Sequence, residues 1–95
     1  MITQSFPVAK FRLGHIVSTP NALEHVSQDD ILTAIGRHQA GDWGDLDAGD
    51  KAANDRALAE GTRILSAYRA ANGIKFRIIT EASRKVTTVQ MPEDY

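Results

Sequence analysis

The sequence predicts an α+β domain in which a small antiparallel sheet carries two helices on one face, in the order β-α-α-β-β-β. Three observations support this fold class. β-forming residues alternate with polar residues in three segments, 8–17, 74–80 and 86–91. Apolar residues at helical spacing follow two helix-capping signals, and glycine-containing turns separate the segments. A chain of 95 residues makes one domain, 1–95, with 1–7 as a loose lead-in.

The composition narrows the class of protein. Hydrophobic residues make up 42% and charged residues 24%, which is typical of a globular chain and not of a disordered one. There is no cysteine, which excludes disulfides, thiolate metal sites and cysteine catalysis and favours the cytoplasm. The first residues have no basic region and no long apolar run, so neither a signal peptide nor a membrane span is predicted.

The first half of the chain begins with a predicted strand over 8–17, which Gly14 interrupts, consistent with a bulge. A turn follows at 18–21, because proline fixes its own φ and biases the preceding residue away from helix, and Pro20 can open a short helical turn. Ser27 is a good N-cap for the next helix, which has acids in its first turn and ends by Gly41.

The second predicted helix covers 48–60 and follows the polar loop 41–47. Asp47 is placed as its N-cap, with Asp50 three positions later, and Gly61 as the residue that ends it. The inner positions are predicted to be Ala52, Ala53, Ala57 and Leu58.

Residues 62–71 fit either a strand or a helix, and a strand is favoured because Gly61 interrupts a continuous helix and 74–80 offers a partner. A three-residue turn over 71–73 would pair Tyr68 with Phe76 and sort apolar and basic side chains onto opposite faces. A two-residue turn would mix them. The predicted hairpin therefore has the three-residue turn, with Gly73 at positive φ.

Charge is unevenly distributed along the chain. Residues 21–60 carry nine acids against three bases, whereas residues 61–89 carry six bases against one acid. These are either two solvated faces that balance each other or patches that meet a charged partner.

The loop around Trp43 holds the most distinctive composition. Acids recur at 42, 45, 47 and 50, but an EF-hand starting at Asp45 would place Gly49 at its fifth position and Arg56 at its twelfth, so that motif fails. The acids are expected to cap the second helix (Asp47 and Asp50) and to bond turn amides (Asp42 and Asp45), without a bound metal or cofactor, and an irregular cation site is the alternative. Trp43 is either a plug over the small core or an exposed anchor for a partner.

Several stretches resemble a group of small, largely uncharacterised bacterial proteins carried by plasmids and other mobile elements. The resemblance rests on residues 38–45 (HQAGDWGD), 63–68 (RILSAY), 78–82 (IITEA) and 91–95 (MPEDY). It implies a mobile-element setting and no established activity. That group commonly has Asp-Arg-Ser where this chain has Ser83-Arg84-Lys85, so a role that needs an acid at 83 or a hydroxyl at 85 does not carry over.

These features lead to a hypothesis of a non-enzymatic, cytoplasmic protein that binds and modulates a host or rival protein, with inhibition of a defence system such as CRISPR as its most concrete form. No catalytic signature is present. The predicted contact is acidic and surrounds Trp43, with the carboxylates of Asp42, Asp45, Asp47, Asp50 and Asp55. The oligomeric state is not predicted.

Two alternative functions are kept. A nucleic-acid binder would use a basic face formed by Arg69, Lys75, Arg77, Arg84 and Lys85. A metal-dependent enzyme would use His38, Asp42 and Asp45, against the simpler interpretation that His38 is structural and sits near a helix end.

Overall fold

A computed structural model describes residues 9–94 and defines the elements of the fold. In chain order they are β1 (His15–Ser18), α1 (Pro20–His25), α2 (Gln28–Gln39), α3 (Ala48–Glu60), β2 (Ile64–Arg69), β3 (Lys75–Thr80), β4 (Val86–Gln90) and a 3-10 turn (Pro92–Asp94). The predicted α+β class and the order of strands and helices are confirmed, with the helical turn opened by Pro20 forming α1. The predicted lead-in 1–7 lies outside the described residues.

The four strands form one sheet in the order β1-β4-β3-β2. Strands β2, β3 and β4 pair antiparallel, whereas β1 pairs parallel with β4. The sheet is therefore mixed and not wholly antiparallel. The physical reason is the long helical connection after β1, which lets the chain cross the sheet before β2 begins.

The first strand is shorter than the predicted segment 8–17 because Gly14 bends the chain before it. Gly14 has φ +66°, and a methyl group there would lie 2.2 Å from the Lys85 carbonyl oxygen. Only with glycine can the backbone approach β4 this closely, and the His15 amide then donates to Lys85 O at 2.8 Å to open the strand. The predicted start at Val8 lies outside the described residues.

The hairpin of β2 and β3 has the predicted register. Tyr68 lies opposite Phe76 and Ser66 opposite Ile78. The Ala70 amide donates to Ile74 O at 2.8 Å, which closes the turn over 71–73, and Gly73 has φ +86°. The strand interpretation of this region is confirmed, because only that register places the apolar side chains on one face.

The helix ends follow the predicted caps. Ser27 Oγ accepts from the Asp30 amide, Asp47 Oδ1 accepts from the Asp50 amide, and Gly61 ends α3 in the left-handed region. The inner face of α3 differs from the prediction. Ala57 is buried and Leu58 half-buried, but Ala52 and Ala53 are exposed and Asn54 is buried, because Asn54 hydrogen-bonds the backbone of β2.

All three helices lie on one face of the sheet and form two hydrophobic clusters there. The larger cluster joins α1 and α2 to the strand residues Tyr68, Phe76, Ile78 and Val89. The smaller cluster joins Trp43, Ala57 and Ile64 with Phe11, Leu46 and Leu58 around it. His38 and its hydrogen-bond partners lie at the boundary between the two clusters.

Candidate functional site

The Trp43 side chain is a core residue. Its exposed fraction is 4%, and its indole N–H donates to Asp55 Oδ1 at 3.0 Å. The prediction left open whether this ring is a core plug or an exposed anchor, and its burial decides for the plug. A partner cannot reach the ring in this conformation, so any contact at this loop involves the residues around it.

The loop that carries Trp43 seals the outer edge of β2. The Ala67 amide donates to Trp43 O at 3.2 Å, and the Asp45 amide donates to Ala67 O at 2.7 Å. Next along the strand, the Asn54 amide group bonds both the carbonyl and the N–H of Leu65. These bonds use the outward-pointing backbone groups of β2 and fix the loop to the sheet.

The acidic surface consists of the exposed carboxylates predicted to contact a partner, namely Asp42, Asp45, Asp47, Asp50 and Asp55. They follow the loop and the first turns of α3. Asp42 Oδ2 lies 2.7 Å from Arg37 Nε, and this hydrogen bond holds the pKa of Asp42 below its ordinary value. The Tyr68 hydroxyl donates to Asp42 O at 2.7 Å. The acidic surface is thus carried by a backbone anchored to the core.

The His38 network is the only place where the described residues bury several reactive side-chain types together. His38 is fully buried, with Nδ1 2.5 Å from Ser66 Oγ and Nε2 2.8 Å from Thr80 Oγ1. Thr80 Oγ1 lies 2.8 Å from Thr87 Oγ1, and the Thr87 hydroxyl donates to Leu13 O at 2.7 Å. The network therefore crosses the sheet from β2 to β4.

The end of this network determines the direction of every hydrogen bond in it. Because Thr87 donates to a carbonyl, its oxygen accepts from Thr80, and Thr80 in turn accepts from Nε2–H of His38. Nδ1 is then the acceptor for the Ser66 hydroxyl. His38 is neutral, and burial, with a smaller effect of the positive charge of Arg84, lowers its pKa to about 4.

The residues of the predicted metal or acid–base site are not brought together. Both ring nitrogens of His38 are occupied by hydroxyl groups, whereas Asp42 pairs with Arg37. Within residues 9–94 no three His, Cys, Asp or Glu side chains are grouped as metal ligands would be. The Ser66–His38 pair resembles an activated nucleophile in its contacts, but both side chains are fully buried and substrate has no access.

The basic residues divide between two places. Arg69 and Lys75 are exposed and directly opposite each other, with Arg77 on the same face of the sheet. Arg84 lies in the turn between β3 and β4. Its guanidinium donates to Ala57 O and Thr62 O and lies over the Phe11 ring, so it holds this turn against the end of α3. No Phe, Tyr or Trp ring in the described part of the chain is exposed for stacking on bases.

One surface feature was missed at the sequence level. Four large apolar side chains are about half exposed or more, at Ile16 (48%), Val17 (46%), Leu23 (63%) and Leu32 (58%). We call these four residues the β1 patch. In the sequence these residues include the consecutive apolar pairs Ile16-Val17 in a strand and Ile31-Leu32 in a helix. Such a pair does not show by itself which side chain is buried, since Ile78 and Ile79 of β3 are both buried.

A scan against protein-family models and searches of curated proteins and of solved structures found no match to this chain. The fold and the site define the protein as a small α+β protein with a mixed four-stranded sheet, a buried histidine network and an anchored acidic loop. Among the helices of residues 9–94, none has both the length and the apolar character needed to cross a bilayer.

Proposed function

We propose that this chain is a protein-binding module whose acidic surface covers a basic surface on another protein. The observation that carries the proposal is the anchoring of that surface. The loop backbone is hydrogen-bonded to β2, Asp42 O accepts from Tyr68, and Asp55 accepts from the buried Trp43 ring. Charges held in fixed positions select a partner by electrostatic complementarity with little loss of conformational entropy on binding.

Two further features support a binding role. The one contact that resembles an activated nucleophile among the described residues, between His38 and Ser66, is buried, and its polar atoms are satisfied by each other and by Thr80. A cleft of about 500 Å³ beside the acidic surface is lined by Ala9, Asp42 and residues of α2 that include Arg37, and it offers a partner side chain a concave site.

The mobile-element setting implied by the resemblance makes a host or rival protein the first partner to test, and a bacterial defence complex the most concrete choice. The cytoplasmic location predicted from the composition belongs to this proposal. Electrostatic binding of this kind weakens as salt rises, because the Debye length falls to about 3 Å at 1 M.

The test is an affinity capture from bacterial lysate on the full chain, with the captured proteins identified by mass spectrometry. The variant Asp45→Asn/Asp50→Asn removes two exposed carboxylates, one from the loop and one from the first turn of α3. We expect about tenfold weaker binding of the captured partner, and its release from the wild-type chain at high salt.

The matched control is Asp29→Asn/Glu81→Gln. It removes the same charge from the first turn of α2 and from the turn after β3, away from the acidic surface. Full retention of the partner by this control is expected. Equal weakening by both double variants, or capture of no protein above an empty matrix, contradicts the proposal.

A further inference from the structure

The two edges of the sheet differ in how they are covered. The outer edge of β2 is sealed by the Trp43 loop and by Asn54. No strand within residues 9–94 pairs with the outer side of β1. The amides of His15 and Thr19 point inward to β4, so by alternation along the strand the N–H and C=O groups of Ile16 and Ser18 point outward.

The β1 patch surrounds this open edge on both faces of the sheet. Ile16, Leu23 and Leu32 line a groove of about 470 Å³ between β1, α1 and α2, while Val17 lies on the opposite face. Ile16, Leu23 and Leu32 share this groove and are each about half exposed or more, so they form a contiguous exposed apolar surface of the kind that often serves as an interaction site. An open strand edge flanked by apolar surface is suited to pairing with another strand.

We propose that the partner at this edge is a second copy of the chain, joined by antiparallel pairing of β1 with β1 about a two-fold axis. This inference goes beyond the proposed function, because the acidic surface lies at the opposite edge of the sheet.

The register follows from which groups point outward. With Val17 opposite Val17 of the partner subunit, Ile16 lies opposite the partner's Ser18 on each side of the axis. Each of these two pairs exchanges two backbone hydrogen bonds, four in total. Ser18 is small and lines the groove, so the longer Ile16 side chain of one copy can enter the groove of the other, between Leu23 and Leu32. The patch is thus complementary to itself.

The charges at the two ends of β1 support the same arrangement. Lys85 lies at the start of the strand, where its carbonyl accepts from the His15 amide, and Arg12 precedes it in the chain. Asp94 and Glu93 lie at the other end, where they accept from Thr19 and Asn21. An antiparallel two-fold contact places the basic end of one copy beside the acidic end of the other.

The experiment measures the molar mass of the full chain by light scattering and sedimentation, at concentrations up to about 1 mM. We expect twice the monomer mass of 10.4 kDa for the wild type. Val17→Lys and Val17→Asp are each expected to be monomeric, because like charges then meet at the two-fold axis. An equimolar mixture of the two variants is expected to recover the dimer mass, since Lys then faces Asp.

Val17 is exposed in the isolated chain, and circular dichroism with Trp43 fluorescence checks that each variant is folded. The matched control is Ala52→Lys on the exposed side of α3, which is expected to stay dimeric. A wild type that is monomeric at every concentration overturns the proposal. The edge would then bind a segment of its own chain or another protein. A dimer that Val17→Lys leaves intact, or a mixture that stays monomeric, also overturns the proposal.

Discussion

At the scale of single residues, His38 is the most informative position in the chain. Its neutral tautomer is determined by a network that ends on a backbone carbonyl, and protonation would reverse the bond to Ser66. A buried polar group that is fully satisfied stabilises the fold, whereas a charge at the same site is costly. The residue therefore makes the stability of the protein depend on pH.

We expect the free energy of unfolding to fall as the pH falls from about 6.5 to about 4. The pKa of His38 is about 4 in the folded chain and near 6.5 when unfolded, so the unfolded state binds more protons between these values. The His38 contribution is complete above pH 6.5, and about 3 kcal/mol of it is lost by pH 4. Urea titrations followed by Trp43 fluorescence measure this change.

His38→Gln is the control for that titration, because glutamine has hydrogen-bonding groups but does not titrate. This variant is expected to be less stable at pH 7 and nearly independent of pH from 6.5 to 4.5. The lowered pKa of Asp42 adds a separate loss only at lower pH, as the carboxyl group becomes protonated. A wild-type stability that is constant from pH 6.5 to 4.5 would contradict the burial argument.

At the scale of elements, the loop around Trp43 pairs with the edge of β2 through an isolated parallel bridge between Gly44 and Ala67. Gly44 makes this possible, since it has φ +75° and a methyl group there would lie 2.0 Å from Ala67 O. The loop can lie this close to the strand only without a side chain at that position. The glycine at position 44 thus has a structural reason in addition to any contact of the loop with a partner.

Gly44→Ala is expected to lower the free energy of unfolding by about 3 kcal/mol, from left-handed strain and weakened loop-to-strand bonds. Gly73→Ala is the matched comparison. Gly73 also has positive φ, +86°, but nothing lies within 4 Å of an added methyl group, so a cost of about 1–2 kcal/mol is expected. Chemical denaturation of both variants measures the difference. Equal costs would mean that the close approach to Ala67 contributes nothing.

At the scale of the whole molecule, the two hydrophobic clusters are tied together at their boundary. The His38 ring makes edge contacts with Phe11 and Trp43, at centroid distances of 5.1 and 6.0 Å, and is hydrogen-bonded to β2 and β3. Tyr68 packs in the larger cluster and bonds the backbone next to Trp43. Neither cluster can open without breaking contacts of the other.

We therefore expect unfolding to be a single cooperative transition. Trp43 fluorescence reports on the smaller cluster, and far-ultraviolet circular dichroism reports on all helices and strands. Their urea midpoints are expected to coincide at pH 7. Two separated midpoints would show that the clusters unfold independently and that the His38 boundary does not couple them.

Much of the local structure was predictable from the sequence, because it depends on neighbouring residues. Ser27 and Asp47 cap their helices through bonds to amides three residues ahead, and Gly73 sets the turn that determines the hairpin register. The α+β class followed from the same periodicities. The acids of the loop and the basic pair Arg69 and Lys75 were also predicted to lie on the surface, because charged side chains are rarely buried.

The tertiary structure alone decided the features that depend on residues far apart in the chain. No local pattern encodes the contacts that produce three of these features. They are the parallel pairing of β1 with β4, the hydrogen bonds of Asn54 to β2 and the burial of Trp43. His38, Ser66, Thr80 and Thr87 have no common spacing in the sequence, and only the stacking of α2 on the sheet brings them together. Local sequence patterns predicted the order of the helices and strands and most of the helix ends. The packing of those segments determined which polar residues are enclosed and which sheet edge is left open, because burial depends on the whole fold.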